Sequence, residues 1–137
     1  MERVRDLAAL IGRLGVGAVF IAHGWQKFFE YGLDGTAASF VQMGVPAATP
    51  SAWYAAVVEL VAGALLLVGF ALPVAGVLLA LDMAGALLIV HLPNGMLAPN
   101  GYELVLVLGV AALALGFNGG AYSLDRVFRK TPEPVSV

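Results

Sequence analysis

The sequence predicts an all-α integral membrane protein, a four-helix bundle with a short interfacial helix on its outer side. Three observations predict it. Apolar residues make up 61% of the 137-residue chain and only 12% of residues are charged, about half the charged share of an ordinary soluble domain. Mean hydropathy is +0.91. The apolar residues fall in four runs, at about 7–28, 51–70, 73–92 and 102–117, and a hydrocarbon core of roughly 30 Å needs about 20 such residues per helix. Little of the chain lies outside the runs, so 1–137 reads as a single four-span membrane domain.

The first run begins beside arginines and passes through Gly12, Gly15 and Gly17. Small residues of this kind let helix backbones approach closely in lipid. It is longer than the apolar core of a signal peptide and carries His23, Gln26 and Lys27 near its end, so it is expected to be retained. Trp25, Phe28, Phe29 and Tyr31 then form an interfacial aromatic cluster. Asp34-Gly35-Thr36 reads as a helix start and Gly44-Val45-Pro46 as a stop, which brackets the surface helix over 36–43. Ser51 caps the second span, with Trp53 and Tyr54 at the interface. Pro73 suits the first turn of the third span, where a missing N–H costs nothing. The fourth starts at Gly101-Tyr102-Glu103 and ends in the glycines after Phe117, followed by a charged tail with Ser123-Leu124-Asp125-Arg126.

Charge placement orients the bundle. Arg3, Arg5 and Arg13 lie in or near the first segment, and Arg126, Arg129 and Lys130 in the tail. The positive-inside rule then makes both termini cytoplasmic and turns loops 30–50 and 93–101 outward. The net charge of −2 gives no reason to expect a nucleic-acid partner, and the absence of cysteine rules out a disulfide or a thiolate in this chain.

Within the apolar runs sit Arg13, His23, Lys27, Glu59, Asp82, His91 and Glu103. Each charge at a helix centre costs roughly 2.5–3.5 kcal/mol to insert, so intramembrane charge points to function by default. His23 and Lys27, four apart, share a helix face. At 1.5 Å per residue, His23, Lys27, His91 and Glu103 fall within roughly 10 Å of the outer boundary and Glu59 slightly deeper. These five are expected to close around one polar cavity rimmed by Trp25 and Tyr102. Arg13 and Asp82 are placed deeper, toward the cytoplasmic half, pairing with each other or with Glu59. The plainer alternative is that Lys27 snorkels, His91 and Glu103 are interface residues, Arg13 signals topology and the aromatics are anchors. Imidazole and carboxylate suit zinc or iron, but no spacing forms a metal motif and no bound metal is expected.

Arg13, then Phe20-Ile-Ala-His23-Gly24 with Lys27, Glu59 before Gly63–Gly69, Gly101-Tyr102-Glu103, and Ser123-Leu124-Asp125 together resemble the DoxX family over nearly the whole chain. Arg13, His23, Lys27, Glu59 and Glu103 are the positions that match; Asp82 and His91 lie outside that pattern. The resemblance implies a four-helix protein of the prokaryotic cytoplasmic (inner) membrane, associated with oxidoreductases and in some members with oxidative stress. The expected function is a membrane redox subunit, a possible quinone-linked oxidoreductase component. His23 and Glu59 would exchange protons with a quinone, and Lys27, His91, Glu103, Trp25 and Tyr102 would line its pocket. Alternatives are a proton-coupled small-solute transporter and a non-catalytic anchor for a soluble oxidoreductase. Beyond the lipid bilayer, the expected partners are that soluble enzyme and a second copy of the chain.

Overall fold

Residues 1–97 and 99–129 are described by the computed structural model. Lys130 of the basic tail lies outside the described residues. The chain runs through α1 (Glu2–Glu30), α2 (Gly32–Gln42), α3 (Ala48–Val68), α4 (Leu72–Asn94), α5 (Glu103–Phe117) and α6 (Leu124–Phe128). No strand occurs among the described residues. Helices α1, α3 and α4 are long and apolar enough to cross a membrane, whereas α5 has 15 residues and reaches only about 22 Å at 1.5 Å per residue. The surface helix α2 starts at Gly32, a turn earlier than its Asp34-Gly35-Thr36 signal predicts.

Small residues set how the bundle packs. An added Cβ on Gly17 would lie 3.0 Å from the Gly63 carbonyl oxygen, and one on Gly24 would lie 2.5 Å from the Leu60 nitrogen, so α1 and α3 run backbone against backbone. Between α4 and α5, a Cβ on Gly76 would lie 2.8 Å from Gly116 Cα. Gly15, by contrast, has nothing within 4 Å. Phe20, Leu66, Leu79 and Ala112 are fully buried where these helices meet. Ile11, Leu81, Leu88 and Val107 point away from the bundle, each about 60% exposed, as expected where lipid rather than water is the neighbour.

Each of the three long helices contains a π-helical turn, over Gln26–Glu30, Val58–Ala62 and Ala86–His91. Such turns are rare, concentrate at functional sites and shift the register of the residues beyond them. At the end of the bundle where α1 begins, the basal end, side chains clamp the backbone. Asp125 accepts from the Ala71 and Leu72 amides at 2.8 and 2.9 Å, capping α4 across the tight α3–α4 turn, and Asp6 accepts from Ala121 at 3.0 Å. The tail is thereby folded back as α6, with Ser123 Oγ accepting from the Arg126 amide at its start.

Candidate functional site

The middle of the bundle holds charge. Glu59 is the twelfth residue of α3 and Asp82 the eleventh of α4, so each lies near the midpoint of its span. Lys27 reaches in from the last turn of α1, and its Nζ donates to Glu59 Oε1 at 2.8 Å. The Glu59 side chain is 4% exposed and that of Lys27 18%. It is the only ion pair among the described residues. The Asp82 carboxyl neighbours Glu59 and feels the charge of Lys27, while its Oδ2 is buried with no hydrogen-bond partner. Two carboxyls therefore lie near one ammonium, which bonds to Glu59 alone, and the three charges cancel only when one carboxyl carries a proton.

Local structure explains how the trio forms. Lys27 and Glu59 both sit inside π turns, which re-aim side chains away from a regular helical stripe. Gly24, one turn before Lys27, lets α1 touch α3 at Leu60, bringing Lys27 within reach of Glu59. Helix α2 folds over the end of α1, where the buried Thr36 hydroxyl bonds to the carbonyls of Gly32 at 2.9 Å and Lys27 at 3.2 Å. Tyr54, one turn before Val58, donates to the Leu78 carbonyl at 3.2 Å and ties α3 to α4 beside Asp82.

A groove of about 600 Å³ opens on the flank of α1. Ala18, Ile21 and Leu67 form apolar walls, and His23, Trp25 and Gln26 supply the polar and aromatic rim. Trp25 is 57% exposed and packs on Phe29 with ring centroids 4.3 Å apart. His23 precedes Lys27 by one helical turn, so α1 carries the groove and the cation of the buried trio together.

The other expected participants are elsewhere. Glu103 is exposed at the start of α5, Tyr102 is half-buried beside it, and His91 Nδ1 contacts the Asn100 carbonyl at 2.8 Å in the loop between α4 and α5. None of the three lines the groove or bonds to the Lys27–Glu59 pair, so the expected five-residue chamber is replaced by a trio that includes Asp82. Arg13 pairs with neither Asp82 nor Glu59. It is fully buried at the basal end, where Nη1 donates to the Leu66 and Leu67 carbonyls at 3.4 and 3.5 Å and Nη2 to that of Tyr122. Those carbonyls belong to a helix end and a loop that have no helical donors to offer them. Among the described residues no set of three His, Asp or Glu side chains forms a metal site.

The fold and the buried trio define a small all-α membrane protein with ionisable groups held inside its bundle. The DoxX family model matches residues 8–92, and the chain belongs to that family. A Mycobacterium tuberculosis protein named as the uncharacterised membrane protein Rv3486 is 38% identical over 131 residues, covering 86% of this chain and 79% of its own. The Bacillus subtilis protein with the provisional name oxidoreductase CatD is 32% identical over 115 residues, 84% of this chain and 83% of its own. An uncharacterised Haemophilus influenzae protein is 30% identical over 135 residues, 95% and 97% of the two chains. No solved structure matches the chain significantly.

Proposed function

We propose that this DoxX-family protein is the membrane subunit of a redox system, and that the groove on α1 takes a quinone or a similar small redox molecule. The observation that carries this reading is the partly buried Lys27–Glu59–Asp82 trio, whose Lys27 lies one helical turn from His23 of a lipid-open groove. The residues fit such a ligand: apolar walls for a ring and tail, an indole to stack on, and imidazole and amide groups for ring oxygens. When bound, a quinone supplies two-electron chemistry coupled to proton uptake, with a soluble oxidoreductase as the electron donor.

The chain's own residues orient the ring and handle protons. His23 and Gln26 line the groove, and an imidazole nitrogen and a side-chain amide would fix the ring's position by hydrogen bonding. In this reading the trio would hold one proton between two carboxyls at mid-bilayer, with Lys27 offsetting the remaining negative charge. The relative named an oxidoreductase supports the redox class. The reading includes the inner membrane of a prokaryote, with the arginine-rich basal end cytoplasmic, where a soluble enzyme or a second copy would dock.

Tryptophan fluorescence tests it. A menaquinone analogue titrated into the detergent-solubilised protein should quench Trp25, and Trp25→Phe should remove that quenching whereas Trp53→Phe should not. Loss of one hydrogen bond in His23→Ala should weaken binding up to about tenfold. Quenching that survives Trp25→Phe, with unchanged affinity in His23→Ala, would overturn the groove assignment.

A further inference from the structure

A second cleft, of about 680 Å³, opens at the basal end between α1, α4, α5 and α6. Three guanidinium-bearing side chains line it, Arg5 from α1 and Arg126 and Arg129 from the tail. Its two acids are already occupied by backbone: Asp6 by the Ala121 amide, and Asp125 by those of Ala71 and Leu72. Among the described residues no carboxylate pairs with the three arginines. The tail thus delivers two cations to a third while its own acid caps a helix, leaving three guanidinium groups without a carboxylate partner in a cleft where they outnumber the two acids by one.

We infer that this cleft binds the phosphate of one anionic phospholipid. Arginine forks match phosphate oxygens bidentately, and basic pockets between helices at the membrane surface take anionic headgroups. A free phosphate would satisfy the same donors, but the surroundings favour a lipid. The cleft lies where α4 begins at Leu72 and α5 ends at Phe117, the level at which a headgroup sits. Its walls include Ala8, Pro73 and Phe117, along which acyl chains continue down the bundle. On α6, Val127 and Phe128 are 62% and 71% exposed beside the arginines, an apolar face for the hydrocarbon boundary. The lipid would tie the folded-back tail to α1 and α4, making tail docking dependent on membrane composition.

Native mass spectrometry and thermal unfolding of the whole protein in detergent test this, using phosphatidylglycerol and phosphatidylcholine of identical chains. Phosphatidylglycerol should remain bound and raise the unfolding temperature; phosphatidylcholine should do neither. At about fivefold per arginine, the Arg5→Gln, Arg126→Gln, Arg129→Gln triple variant should bind phosphatidylglycerol roughly a hundredfold more weakly, with an unchanged unfolding temperature in phosphatidylcholine. Should the triple variant not fold, the intact protein's preference for phosphatidylglycerol must still shrink as salt rises. Equal binding of the two lipids, an unaffected triple variant or a salt-independent preference would overturn the inference. Equal protection by glycerol phosphate would overturn it too, in favour of a soluble phosphate.

Discussion

Removing the negative partners of Lys27 one at a time and then together exposes how the trio shares charge. The Lys27–Glu59 contact is 2.8 Å long and the glutamate side chain 4% exposed, so loss of all negative partners should cost about 3–5 kcal/mol, the range for stranding one member of a buried pair. Glu59→Gln alone should cost less, about 1–2 kcal/mol, because Asp82 also faces Lys27 and can serve as its anion. Asp82→Asn should fall within about 1 kcal/mol of the parent, since the ion pair stays intact and the new amide can donate to Glu59. The double variant should show the full loss. The cycle is therefore non-additive by roughly 1–3 kcal/mol, read from equilibrium unfolding in mixed micelles with increasing SDS and followed by helicity. Additivity to within about 0.5 kcal/mol would refute the shared-cation reasoning.

Substitutions at Gly24, Arg13 and Asp125 test the scaffold of the bundle. Gly24→Ala places a Cβ 2.5 Å from the Leu60 nitrogen, and because backbone cannot yield as a side chain can, thermal stability should fall by about 1–3 kcal/mol; Gly15→Ala, facing open space, is the matched control and should be neutral or slightly stabilising. Arg13→Lys should not restore what Arg13→Gln loses, at least about 3 kcal/mol in an unfolding titration, because one ammonium cannot span the carbonyls of Leu66, Leu67 and Tyr122. Asp125→Ala uncaps α4 at Ala71 and Leu72; it should cost about 1–2 kcal/mol, and limited proteolysis should cut the released tail first.

How far the residues reveal the structure depends on how each contact is made. The spans were legible because hydrocarbon demands uninterrupted apolar runs, and Pro73 marked a helix start because its missing N–H is harmless there. The pairing of Lys27 with Glu59 was within reach of a depth argument, whereas the place of Asp82 was not. Depth counted inward from outer ends near Ser51 and Leu92 sets Asp82 deeper than Glu59, but α3 starts at Ala48 and α4 runs to Asn94, which leaves the two acids nearly level. Counting from helix midpoints rather than run ends would have found it. Arg13 was sought among acids, yet its partners are carbonyls on a distant helix end, and no side-chain pattern records those. The capping role of Asp125 was hidden for the same reason, since its partners are the backbone amides of a turn 53 and 54 residues away. His91 and Glu103 lie at the helix ends, as expected, but depth alone does not fix azimuth.

A redox-induced infrared difference spectrum of the protein reconstituted with a quinone bears most directly on the account. If protons pass between the groove and the carboxyls of Glu59 and Asp82, reducing the quinone will change a carboxyl C=O band that is lost in the Glu59→Gln, Asp82→Asn double variant. A quinone spectrum with no carboxyl band, or one the double variant leaves untouched, would contradict it.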